Sequence, residues 1–291
     1  DPGLRLSADG VDELILRNRV LASVFAASGF GDAEHILAAR PKSLRDGAVW
    51  LLRSLDALDD TDFSSLDRMK PDDALPIVVN LLANRIATTA RAETNRARLI
   101  ACAERLRDAT LPRLHVESAV TAWMLASYAD TPDKHDLKSH LSPVFARYLA
   151  ERGVEATPPP ARERQRPVVA VLAERFEHGH AMFRCYAPSI RQLRRDFAVV
   201  LFAERGRVDA HARDVADEVI ELDIDVDDPA TFAAPIRTLA PDVVYYPSLG
   251  MAPWTVLLSS VRLAPVQVAS LGHPATTRAE GIDFLVTEEG H

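Results

Sequence analysis

The chain has 291 residues, 47% of them hydrophobic and 26% charged, a length that suggests two domains at roughly 100 to 200 residues each, both able to bury a core. Its 34 Lys and Arg against 42 Asp and Glu leave a formal net charge of -8, which argues against any general attraction to nucleic acid or to an anionic membrane. Cys102 and Cys185 lie in different halves and make neither a disulfide framework nor a zinc knuckle, so a reducing compartment fits.

The N-terminus, DPGLRLSADG, lacks the basic and apolar stretches of a signal peptide and the character of a transit peptide, and it reads as a trimmed start. Apolar runs stop short of the roughly 20 residues that span a bilayer. One of the longest, VVYYPSLGMAPWTVLL, is broken by Pro and Gly.

Up to about Gly153 the hydrophobic spacing is helical. In VDELILRNRVLASVFAASG, Leu14, Val20, Val24 and Phe25 recur on one face and Gly29 stands where a C-cap belongs. Further helices are expected in DAEHILAAR, in DDALPIVVNLLANRI with a start or kink at Pro76, in RAETNRARLIACAERLRDA, and in KHDLKSHLSPVFARYLAERG ending at Gly153. No 34-residue helical-pair period is present, so residues 1–155 read as a globular all-α domain and not a solenoid.

Residues 156–167, ATPPPARERQRP, combine three consecutive prolines with alternating charge, the composition of an extended linker. Beyond it, over residues 168–291, PVVAVLAE, FAVVLFAE, DEVIELD, DVVYYP, APVQVAS and IDFLVTEE alternate with helical patterns. Near-continuous apolar strands of this kind belong to a parallel sheet covered on both faces, a Rossmann-like α/β domain. Ligands of such sheets lie beyond the carboxyl ends of the strands, which directs attention to the loops after Ala173, Pro247 and Ser270.

In the first loop, ERFEHGH, His178 and His180 with Glu177 offer a general base, an anion contact or two metal ligands. A surface His pair is more often merely solvated, and its place at a strand end is what raises it. LDIDVDDP supplies Asp223, Asp225, Asp227 and Asp228. An Asp-x-Asp pair can hold a divalent ion for a sugar nucleotide, but the run lacks the glycine and glutamate of an EF-hand and reads better as a strand end followed by a helix cap near Pro229. In RLAPVQVASLGHPATT a buried strand leads into Gly272, His273 and Pro274 and then Thr276 and Thr277, and with Gln267 this gives more polar capacity than a connector requires. The absence of G-x-G-x-x-G, Walker A, G-x-S-x-G and H-E-x-x-H motifs demotes nicotinamide enzymes, P-loop NTPases, α/β-hydrolases and zincins.

RLAPVQVASLGHPATT resembles a segment of glycosyltransferase family 41, which contains the O-GlcNAc transferases and the bacterial soluble N-glycosyltransferases that glucosylate high-molecular-weight adhesins. His273 in GHPATT is similar to the bacterial branch, as are LAERFEHGHAMFR, YYPSLGM, RNRVLASVFAASGFGDAEHILAA and SYADTPDKHDLKSHL. The resemblance implies the first half of a GT-B fold with an all-α domain packed on it. The implied activity is inverting, metal-independent transfer of glucose or another hexose from a uridine diphosphate sugar to Asn-x-Ser/Thr of an acceptor polypeptide in the cytoplasm, with no cofactor beyond the UDP-glucose donor. It further implies a catalytic or sugar-contacting role for His180, with His178 as the competing choice, and a substrate-lining role for Gln267, Gly272, His273, Pro274, Thr276 and Thr277. The family's second, nucleotide-holding domain is expected to be missing from this chain, leaving it inactive alone. Rival readings are a non-enzymatic polypeptide-binding module, an O-linked transferase of the same family, and a metal-dependent enzyme using Asp223 and Asp225.

Overall fold

The computed structural model describes residues 8–39, 50, 52–83, 89–160, 162–271 and 276–287. They fall into two compact units, Asp1–Val144 and Phe145–His291. A helical N-terminal region and a six-stranded parallel sheet are both present as the hydrophobic pattern indicates.

The first unit is helical. Helices α1 (Ala8–Leu16) and α2 (Asn18–Ala27) divide at Arg17 what the periodicity joins, and α3 (Glu34–Ala39) follows Gly31, whose φ is +74°. The break at Arg17 accompanies the burial of Asn18, whose amide donates to the carbonyls of Trp50 (2.7 Å) and Arg53 (2.5 Å). Helix α4 (Asp60–Arg68), which the spacing does not reveal, starts from a capping box in which Asp59 accepts from the Thr61 and Asp62 amides and Asp62 from the Asp59 amide. In α5 (Pro71–Leu82) the first proline occupies N1, where its missing N–H costs nothing, while Pro76 lies inside the helix and neither starts nor ends it. Helices α6 (Ala90–Cys102), α7 (Val116–Leu125, also unanticipated) and α8 (Asp136–Ala150) complete the series, and the division between units falls within α8.

Several polar side chains buried among these helices bond to one another and to backbone. Asn80 donates to the Pro76 carbonyl (2.7 Å), accepts from Ser118 (2.8 Å) and meets Nδ1 of the fully buried His115 at 2.8 Å. Asp12 lies 3.6 Å from His115 Nε2. Burial pushes the His115 imidazole below its ordinary range, against the pull of Asp12. Lys138 is likewise buried, donates to Ser127 Oγ (2.9 Å) and sits 4.7 Å over the Trp123 ring, and burial pushes its ammonium down to about 7.

The second unit carries strands β1 (Val168–Ala173), β2 (Ala198–Glu204), β3 (Glu218–Leu222), β4 (Val243–Tyr246), β5 (Val266–Ser270) and β6 (Phe284–Val286). They are parallel throughout in the order β3-β2-β1-β4-β5-β6, so the chain reverses its direction of travel across the sheet between β1 and β4. Val169, Val171, Val199, Leu201 and Tyr245 face one layer of the core, where Phe183, Ala187 and Ile190 of α9 (Ala181–Leu193) pack at helical spacing. Connections after β2, β3 and β4 carry α10 (Ala210–Arg213), α11 (Ala230–Leu239) and α12 (Pro253–Leu258).

Residues 156–167 belong to this second unit. Arg237 donates to the carbonyls of Glu155 (3.0 Å) and Thr157 (2.8 Å), and the Arg262 amide to that of Ala156 (3.0 Å). The alternating charge has a structural use: Arg164 reaches the terminal carbonyls of α11 at Leu239 and Ala240, and Arg166 reaches the Arg194 and Phe197 carbonyls after α9 (2.6 Å each).

At the far side of the sheet, the Gln267 amide takes part in three bonds. Its oxygen accepts from the Leu263 amide (2.8 Å), and its nitrogen donates to the carbonyls of Val261 (3.0 Å) and Gly281. Gly281 is packed so closely that a β-carbon there would lie 2.8 Å from the Val261 carbonyl oxygen and closer still to that of Ser259. Gly281→Ala is expected to destabilise the protein by about 1–3 kcal/mol in urea unfolding, because backbone atoms cannot move aside as a flexible side chain would. The buried His115 gives a second expectation. The unfolded chain takes up a proton near pH 6.5 that the folded His115 resists, so stability falls as pH drops below that value. Urea midpoints at pH 7 and pH 5 should differ less for His115→Gln than for the parent chain.

Candidate functional site

The carboxyl ends of six parallel strands open on one edge of the sheet, and the reversal between β1 and β4 places two loops side by side there. Residues 174–180 form the first. Glu174, immediately after β1, is fully buried and accepts from the amides of Gly250 (2.9 Å), Met251 (3.0 Å) and Ala252 (3.0 Å), from Ser248 Oγ (3.1 Å) and from the Thr255 hydroxyl. Burial pushes its carboxyl up, while the hydroxyls and amides around it act in the opposite sense. Phe176 then turns into the core and its amide donates to the Arg207 carbonyl (3.3 Å).

The two histidines that follow are held differently. His178 is exposed, its amide donates to Asp209 (2.8 Å), and its ring lies 4.4 Å from that of His211 and 5.3 Å from that of Phe183. Asp209 also caps α10 through the Ala212 amide, and these amide donors hold its carboxyl below the ordinary range. His178 is therefore engaged with the loop after β2. His180 is half-buried and is the N-cap of α9, its Nδ1 accepting from the Met182 amide at 3.3 Å. In the neutral ring this bond places the proton on Nε2, which makes that nitrogen a donor. The helix it begins reaches toward β4 and β5: Tyr186 donates to the Leu271 carbonyl (2.5 Å), and the Tyr245 hydroxyl meets Ser270 Oγ at 2.8 Å.

Of the other residues singled out from sequence, Gln267 stands near the amino end of β5, and its bonds to Leu263, Val261 and Gly281 serve the sheet rather than the carboxyl edge. Thr277 is buried and accepts from the Ala279 amide (3.3 Å), with Thr276 half-buried beside it. Gly272, His273 and Pro274 lie outside the described residues. In the acidic run, Asp223 makes a two-pronged pair with Arg205 (2.6 and 3.0 Å), Asp225 accepts from the Asp227 amide (2.9 Å), and α11 begins after Pro229 with no side-chain cap. Among the described residues no group of three or more His, Cys, Asp or Glu is arranged to hold a metal ion, and no helix is long and apolar enough to cross a membrane.

Sequence reasoning passed over Glu174, Tyr186 and Tyr245. The one available signal was a carboxylate closing the apolar run VVAVLAE. Glu204 closes FAVVLFAE in the same way and is only a half-buried neighbour of Arg207 at 3.7 Å, so the pattern does not tell the two apart.

Residues 64–149 match the family described as HMW1 domain 2. The whole chain is 27% identical to the UDP-glucose:protein N-beta-glucosyltransferase of Actinobacillus pleuropneumoniae serotype 5b (strain L20), over 316 aligned residues that cover 100% of this chain and 50% of that protein. It matches the protein of the same name from serotype 7 (strain AP76) with the same identity and coverage. A solved structure of an O-GlcNAc transferase mutant from Thermobaculum terrenum overlays with a TM-score of 0.39 at 17% identity, covering 98% of this chain and 55% of that one. The chain spans about half the length of the curated relatives it matches. Residues 64–149 thus match HMW1 domain 2 within a chain similar along its whole length to bacterial UDP-glucose:protein N-beta-glucosyltransferases.

Proposed function

We propose that the chain is the N-terminal portion of a cytoplasmic protein N-glucosyltransferase that moves glucose from UDP-glucose to the asparagine of Asn-x-Ser/Thr in an acceptor polypeptide. The observation that carries this reading is the similarity over all of the chain to proteins bearing that activity in their name. In the reaction the asparagine amide nitrogen bonds to the anomeric carbon, the bond from that carbon to the diphosphate oxygen breaks with its electron pair leaving on UDP, and the proton lost by the amide passes to solvent water. UDP-glucose carries its sugar in an α linkage and the relatives are named for a β product, so displacement proceeds with inversion.

An asparagine amide is a poor nucleophile because its lone pair is delocalised, and the enzyme must orient it and stabilise the departing diphosphate. His180 is the catalytic residue in this reading. Its Nε2–H is free to hold a sugar hydroxyl or a developing negative charge, whereas use of Nδ1 as a base would release the first turn of α9. The diphosphate is assigned to a second GT-B domain outside this chain. The apolar exposure of Leu271 and of Phe284, Leu285 and Val286 in β6 supports a further packing surface there. No metal or cofactor is required in this reading, and Asp223 is already committed to Arg205.

In the protein with its second domain restored, His180→Ala should lower glucose transfer to an Asn-x-Ser/Thr peptide by roughly 10² to 10⁴ with UDP affinity nearly unchanged. His180→Asn, which keeps a capping side chain, should restore thermal stability but not turnover. Equal activity of both variants and the parent would remove His180 from the mechanism. Transfer should also persist in the presence of EDTA, and calorimetry of the chain with Mg²⁺ or Mn²⁺ should show no saturable heat. Loss of UDP binding in either variant would make His180 a nucleotide contact, and a metal requirement would favour the rival reading at Asp223 and Asp225.

A further inference from the structure

Glu174 is the one carboxylate of the second unit that is fully buried among the described residues. Its Oε1 lies within hydrogen-bond distance of three consecutive amides, Gly250, Met251 and Ala252, and of the Thr255 hydroxyl, and Ser248 approaches Oε2. These three amides converge at the turn that leads into α12, where Gly250 has φ +127°, a region that side-chain-bearing residues avoid. Such a concavity of amide donors is a nest for an anion. Here it stands at the reversal point of a parallel sheet, where ligands of this architecture bind.

We infer that residues 248–252 form an anion nest occupied by the protein's own Glu174, which makes Glu174 the positioning residue for the strand-end loop facing His180's loop. The inference goes beyond the proposed reaction and does not depend on it. Glu174 begins the segment whose seventh residue is His180, so a single carboxylate fixes the loop after β4 and the origin of the loop after β1 together. The donors of the nest are consumed internally. A phosphate arriving at this point finds the Gly250, Met251 and Ala252 amides already taken by a carboxylate oxygen.

Glu174→Ala removes the acetate-shaped end of the side chain. Hydrogen exchange at the Gly250, Met251 and Ala252 amides, followed by NMR on the chain, should accelerate at least about tenfold while core amides of β2 stay protected. Added sodium acetate should slow that exchange again, and sodium chloride at equal ionic strength should not. Inorganic phosphate should leave these three resonances of the parent chain unmoved. Glu174→Gln, which keeps one acceptor oxygen and the shape, should fall between parent and Ala, and it carries the test if the Ala variant does not fold. Unchanged exchange in whichever variant folds, acetate acting no better than chloride on the Ala variant, or phosphate shifting the parent's resonances would each overturn the inference.

Discussion

The bond system between Glu174 and the loop after β4 is the constraint on which the arrangement of the carboxyl edge depends. Strands β1 and β4 are neighbours through their ladder, but a ladder fixes only the strands. Beyond Ala173 and Tyr246 the chain is free to diverge, and a loop cannot bury its amides without partners. A carboxylate placed where the strands separate meets both needs, because it accepts from three successive amides and ties together two segments far apart in sequence.

The sheet was legible in the sequence for a specific reason. All six strands appear where the apolar runs lie; the central strands β1, β2 and β4 are covered on both faces and cannot hide their composition, while β6 keeps its apolar run although its residues are exposed. Helices α4 and α7 escaped because their signals are of another kind: α4 buries only Phe63 and Leu66 as apolar anchors and is announced by Asp59 and Asp62, while α7 buries Val116, Ala119, Val120, Ala122 and Trp123 and is apolar around much of its circumference, so no single stripe marks it. The break at Arg17 is set by tertiary bonds to Asn18, which no local pattern encodes.

For the site, strand-end position directed attention to the loop of His178 and His180, and the structure separates their surroundings, one turned to the loop after β2 and the other heading α9. Gln267 shows the opposite case. A polar residue inside an apolar strand resembles a ligand contact, yet its three bonds to backbone are a structural solution to burial. Glu174 was unreadable because burial, not residue type, distinguishes it from Glu204.

The fastening of residues 156–167 has a consequence for how the molecule comes apart. Proline has few conformations to lose, so laying a Pro-rich stretch onto a surface costs little chain entropy, and a handful of guanidinium–carbonyl bonds suffices to keep it there. A segment whose composition advertises a tether is thereby part of the α/β body, and a protease that favours extended, proline-flanked linkers meets a docked segment instead. Dissecting this protein at its apparent seam, just before Val168, would strip Arg164 and Arg166 from the helix ends they cap and leave a sheet with frayed helix termini; the serviceable cut lies upstream of the prolines.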